Sequence, residues 1–160
     1  MRPDMSPLES RQDRKSVPVR VWVRVALVLV VVGLIAVFVT AIRLNPYDES
    51  GQPLRQETHL QLGLPPCQFY EMFHKPCPAC GFTTSFSLLM HGDLFASLRA
   101  NFVGTLLALF CLGAIPWSLI TIVRGRYLWI RKLEPALLVV VGIIVVLMLV
   151  RWGIVLLLQR

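Results

Sequence analysis

Charge is missing from three long stretches of this 160-residue chain. Asn101 to Val123 has none at all, Val21 to Ile42 is interrupted only by Arg24, and Pro135 to Leu158 only by Arg151. The chain also lacks a phosphate-binding glycine loop and a hydrolase triad, which removes the usual signatures of nucleotide and acyl-transfer enzymes. Glu71 and Asp93 are far apart and have ordinary roles to fill, so no carboxylate pair is available for acid–base work. No nucleic-acid motif, internal repeat or low-complexity tract is present, so the net charge of +7 needs a different explanation from nucleic-acid binding.

What is present in excess is apolar surface. Hydrophobic residues make up 56% of the chain, against roughly 45–50% in soluble domains. A hydrocarbon core of about 30 Å needs about 20 helical residues, and each uncharged block is that long. Backbone groups must be paired within the segment in lipid, so the blocks must be helices. The expectation is an all-α integral membrane protein with transmembrane helices at about 21–42, 101–123 and 135–158. Residues 1–20, polar and broken by Pro3, Pro7 and Pro18, read as a disordered cytoplasmic tail, and 21–160 as the membrane domain. The uncharged run 25–42 exceeds the 7–15 residues or so of a cleavable signal, so the first span reads as an uncleaved anchor.

The charges explain themselves by position. Arg2, Arg11, Arg14, Lys15, Arg20 and Arg24 precede or enter span one, and Arg124, Arg126, Arg131 and Lys132 crowd the link between spans two and three. The long loop 43–100 has only Arg43, Arg55, Lys75 and Arg99, set among acids. The positive-inside rule then puts the N-terminus in the cytoplasm and the loop and C-terminus outside, in a disulfide-permissive compartment.

Within the loop, alternation of Leu60, Leu62 and Leu64 permits a short strand. Phe69, Met72 and Phe73 suit a helical turn with one apolar side resting on the membrane. Phe82 to Met90 reads as an interfacial helix, its stripe of Phe82, Phe86, Leu89 and Met90 opposite Thr83, Thr84 and Ser87. His91-Gly92 ends it and Asp93 caps the next helix. Pro78 at a first helical position would make Cys77 the cap and leave Cys80 in the first turn. Gly113 and Pro116 are expected to kink span two. Arg24 and Arg151 are expected to snorkel to the two surfaces, and Cys111 to pack as a small apolar residue.

Cys67, Cys77 and Cys80, three of the four cysteines, fall in one polar loop. A helix N-terminus under Cys77 would favour its thiolate, with Cys80 resolving and Cys67 relaying in a thiol–disulfide or quinone-linked redox enzyme. The same cysteines with His74, His59 or His91 could form a Cys₃His zinc set, His74 being the nearest in sequence. A disulfide or metal staple holding an interaction platform, docked on another membrane protein, is preferred to catalysis, because no βαβ pattern accompanies the Cys-x-x-Cys spacing. The nine-residue gap between Cys67 and Cys77 makes contact cheap. Should the three converge with no histidine in reach, a disulfide plus a spare thiol is expected over zinc.

Cys67, then Cys77-Pro78-Ala79-Cys80-Gly81-Phe82-Thr83, then Gly92-Asp93 before an apolar span form a recognisable order. It resembles an uncharacterised family of small bacterial membrane proteins, domain of unknown function 2752, whose pattern is Cys, about ten residues, Cys-Pro-x-Cys-Gly-x-Thr-Arg, and Gly-Asp before a transmembrane helix. The resemblance implies a bacterial cytoplasmic membrane and a cysteine site, and no activity. The chain departs from the pattern at Thr84, where the family has Arg, and at Phe102, where Pro follows Asn.

Overall fold

The computed structural model describes residues 21–125 and 133–158. The tail 1–20 and most of the basic link, including Arg126, Arg131 and Lys132, lie outside the described residues. Among those described, every regular element is helical: α1 (Val21–Arg43), a 3₁₀ turn (Thr58–Leu62), α2 (Gln68–Phe73), α3 (Phe82–Met90), α4 (Leu94–Arg124) and α5 (Leu133–Leu158). Three of these, α1, α4 and α5, are long and apolar enough to cross a bilayer. The strand expected around Leu60 is instead the 3₁₀ turn. Isolated in the loop, that segment has no partner strand to satisfy its backbone, whereas a 3₁₀ turn satisfies itself.

Helices α1 and α4 run antiparallel. Arg24, near the start of α1, lies against Gly125, the left-handed C-cap of α4, where any Cβ would collide with its guanidinium. A cation there faces the negative end of α4. Val23 and Leu27 pack with Trp117 and Ile122 at this end. At the opposite end α3 lies between the last turns of α1 and the first half of α4, with Phe38 and Phe86 stacked at 5.9 Å.

The interior of this end is polar. Thr84, Ser85, Ser87, Ser97, Asn101 and Thr105 are fully buried, whereas Leu29 and Leu138 are 67% and 74% exposed. In lipid the apolar residues have nothing to gain by turning inward, and small hydroxyl residues let helices approach and bond to each other's backbones. Ser87 Oγ donates to the Leu44 carbonyl (2.9 Å), Ser97 Oγ to the Ser85 carbonyl (2.8 Å), and Ser97 shares a 2.7 Å bond with Thr105. No buried side-chain polar atom lacks a partner among the described residues. Thr84, Ser85 and Ser87 of α3 are accordingly buried along with Leu88, while its apolar stripe is only partly covered, Phe86 by Phe38 and Phe82 beside Gly104.

Asp93 caps α4 as expected, its carboxylate accepting from the Ala96 amide at 3.0 Å. The break in α4 falls at Asn101, whose backbone is extended (φ −160°, ψ 102°). Its side-chain oxygen accepts from the amides of Val103 and Gly104, both at 3.1 Å, and so caps the membrane half of the helix. That boundary coincides with the first residue of the uncharged block.

Outside the helices, Gln61 holds both the amide and the carbonyl of Asn45, at 2.9 and 2.6 Å. Thr58 Oγ1 donates to Thr84 Oγ1 at 2.9 Å. The loop is thereby tied to α3 and to the end of α1.

Gly104 permits the close approach of α3 and α4. A Cβ there would strike Ser85 Oγ and lie 2.9 Å from Phe82, while one at Gly113 would meet nothing. Gly104→Val is expected to lower stability in detergent by about 1–3 kcal/mol. Gly113→Val should fall within about 0.5 kcal/mol of the parent. Thermal unfolding followed by circular dichroism checks both; equal effects would contradict this packing.

Candidate functional site

The cysteine turn is built by Pro78 and Gly81. Pro78 occupies the second position of a tight turn in which the Cys80 amide donates to the Cys77 carbonyl at 3.1 Å. Gly81 follows with φ +86°, and a Cβ on it would lie 2.9 Å from the carbonyl oxygens of both Ala100 and Arg55. Only glycine suits both the conformation and the space.

This corrects the expected helix start. Gly81 is the N-cap and α3 begins at Phe82, so neither Cys77 nor Cys80 sits on its N-terminus. Proline's fixed φ serves a turn as readily as a first helical position, and the left-handed glycine delays the helix past the second cysteine.

The three thiols converge. Cys77 Sγ and Cys80 Sγ are 3.0 Å apart, Cys80 Sγ and Cys67 Sγ 3.6 Å, and all three sulfurs lie within 4.8 Å of one another. The Cys77 amide also points at Cys80 Sγ, at 3.2 Å. Cys67 arrives from the other side as the N-cap of α2. Phe69 of that short helix packs on Phe73 and on Trp152 of α5, with ring centres 4.8 and 6.0 Å apart. Cys111 stands apart, half-buried in α4.

No histidine joins the sulfurs as a ligand among the described residues. His74 is exposed at the end of α2. His91 lies edge-on to Tyr47, its Nδ1 2.8 Å from the Ser87 carbonyl. His59 is closer in role: with Gln56 and Glu57 it walls a cavity of about 330 Å³ that opens on Cys67, Cys77 and Cys80.

The thiols are electrostatically unequal. Burial first, then the Cys77 thiol, pushes the Cys80 thiol up to about 12. Burial also opposes ionisation of Cys67, but the Tyr70 amide, the neighbouring Cys80 and Cys77 thiols and the Phe69 amide outweigh it and hold Cys67 below the ordinary thiol value. The thiolate nearest formation in the metal-free site is therefore Cys67 rather than Cys80.

Two further contacts come from span three. Trp152 Nε1 donates to the Pro76 carbonyl, and Arg151 Nη2 to the Ala100 carbonyl, both at 3.0 Å. Half-buried, Arg151 turns toward the cysteine turn, within electrostatic reach of Cys80 and Cys77. The cost of a charge in an apolar span is the signal that marked Arg151 in the sequence. Nothing in the sequence marks Trp152, since tryptophan is common at membrane surfaces.

Residues 67–115 match the family described as Protein of unknown function (DUF2752). The matched stretch holds all three clustered cysteines, α3 and the membrane-entering half of α4. It supports the resemblance carried by the cysteine pattern and adds no activity. Thr84 is buried against Thr58. No match is found among curated proteins or among solved structures.

In metal-free, reduced protein near pH 8, iodoacetamide is expected to label Cys67 at least about tenfold faster than Cys80, because rate follows thiolate fraction. Mass spectrometry of timed digests reads the order. Faster labelling of Cys80 would contradict the electrostatic asymmetry.

Proposed function

We propose that this chain is a multi-pass membrane protein whose Cys67, Cys77 and Cys80 bind one thiophilic metal ion, zinc best fitting the donor set. The observation that carries this is the convergence of three sulfurs within 4.8 Å. Ligand sulfurs about 2.3 Å from a tetrahedral ion stand roughly 3.7 Å apart, and the observed separations of 3.0 and 3.6 Å need little adjustment. A histidine is not required. Three protein ligands plus water is an established zinc arrangement, and the cavity beside the sulfurs has room for that water. A single disulfide would use two of the sulfurs and leave the third beside it as an attacking thiol, so the preference for a disulfide with a spare thiol is reversed.

The metal would join the turn 77–80 to the start of α2 and fix the loop 43–100 as a platform for another membrane protein. The basic residues flanking spans one and two support a cytoplasmic N-terminus and an extracytoplasmic loop. The resemblance supports the cytoplasmic membrane of a bacterium. Cysteine labelling at positions 55 and 128 tests the topology; both on one side would refute it.

A second reading is thiol–disulfide exchange, favoured by the unequal thiols. In that reading Cys67 forms its thiolate more readily than Cys80, and the high Cys80 thiol resolves last.

The full chain, purified without chelator and reduced, is expected to hold one zinc per chain. Cys67→Ser, Cys77→Ser and Cys80→Ser should each abolish tight retention. Elemental analysis with a chelator competition measures both. Metal-free protein that takes up no zinc would overturn the metal reading and leave the exchange reading standing.

A further inference from the structure

Arg151 is a charge that the membrane makes expensive and that no carboxylate among the described residues offsets. Its electrostatic partners are the Cys80 and Cys77 sulfurs. A guanidinium kept in an apolar span is retained where it meets an anion or lines a site. Its position is set by the backbone around the cysteine turn. Arg151 donates to the Ala100 carbonyl, and that carbonyl packs against Gly81, the residue after Cys80. Asn101, next in the chain, donates to the Cys80 carbonyl at 3.0 Å. One residue along α5, Trp152 donates to the carbonyl of Pro76, the residue before Cys77. Span three therefore holds the turn directly at Pro76, before Cys77, and indirectly through the Ala100 carbonyl beside Gly81, after Cys80, with its one interior cation within electrostatic reach of the two sulfurs.

We infer that Arg151 is the countercharge of the three-thiolate site: with a divalent ion bound, three thiolates leave one net negative charge, and the guanidinium of span three neutralises it. This rests on the metal reading and adds a residue outside the family-matched stretch. The charge count is direct. Three neutral thiols release three protons and the ion brings two positive charges, so the occupied set carries −1. Beside Arg151 the whole site becomes neutral, the state that a low-dielectric environment favours. Arg151 touches neither the ion nor its ligands' bonds; it is a positioning and charge-balancing residue of the kind that alters metal affinity by 10–100-fold or so when removed.

Cobalt(II) is the probe, because its sulfur-to-metal charge-transfer band reports both the ligand set and the charge near the sulfurs. The full-length protein in detergent is titrated as parent, Arg151→Gln, Arg151→Lys and Trp152→Phe, with circular dichroism to confirm folding. Arg151→Gln is expected to weaken cobalt binding by about 10–100-fold and to move the band to longer wavelength, since losing a nearby cation makes the sulfurs better electron donors. Arg151→Lys should restore the band position, and Trp152→Phe, which removes the other grip but no charge, should leave it unchanged. If the parent shows no thiolate–cobalt band, the metal reading fails and this inference with it. If the parent binds but Arg151→Gln matches it in affinity and band, only the countercharge is overturned. It is equally overturned if Lys and Gln behave alike, or if Trp152→Phe reproduces the Gln effect, because docking rather than charge would then be responsible.

Discussion

The side-chain amide of Asn101 joins the cysteine turn to the membrane helix that supports it. Its nitrogen donates to the Cys80 carbonyl and its oxygen accepts from the amides of Val103 and Gly104. Both halves of one amide are thus used where neither water nor regular helix can satisfy these groups. The backbone of Asn101 leaves the helix to allow it, and its carbonyl is taken up in turn by Thr105 Oγ1 at 3.0 Å. Hydroxyl pairs continue the same satisfaction through Ser97 and Ser85 into α3. If Asn101 were apolar, a buried carbonyl and two buried amides would lose partners together, and each unpaired group costs about 1–3 kcal/mol.

The thiol geometry follows from that framework. Pro78 and Gly81 bend the chain so that Cys77 and Cys80 share one turn, and Gly81 presses on the Ala100 carbonyl immediately before Asn101. Cys67 is delivered by a separate short helix whose Phe69 rests on Trp152. Span three has little other contact with the fold than α4 and this loop, so Arg151 and Trp152 do much to position it. The site lies where α4 and α5 meet the loop.

The membrane helices were legible because the absence of charge over about 20 residues has one physical explanation in a chain of this kind. The C-terminal end of α3 and the Asp93 cap were legible from stripe spacing and turn residues, and both match. The cysteine cluster was legible from its short spacing. Three features were not. Pro78 has a turn role and a helix-start role with the same φ, and only the left-handed Gly81 separates them. The polar interior reverses the rule learned in water, so Thr84 and Ser87 looked like an outer face and are buried. Arg151 stood out as a cost, but its direction depends on how α5 docks, which local pattern does not encode.

The proposed metal reading rests on three thiols within reach of one another and a cavity beside them. X-ray absorption at the zinc edge on the zinc-loaded full-length protein tests this most directly. The account predicts three sulfur scatterers at about 2.3 Å and one lighter scatterer. A first shell of nitrogen and oxygen alone, or of fewer than three sulfurs, would contradict it.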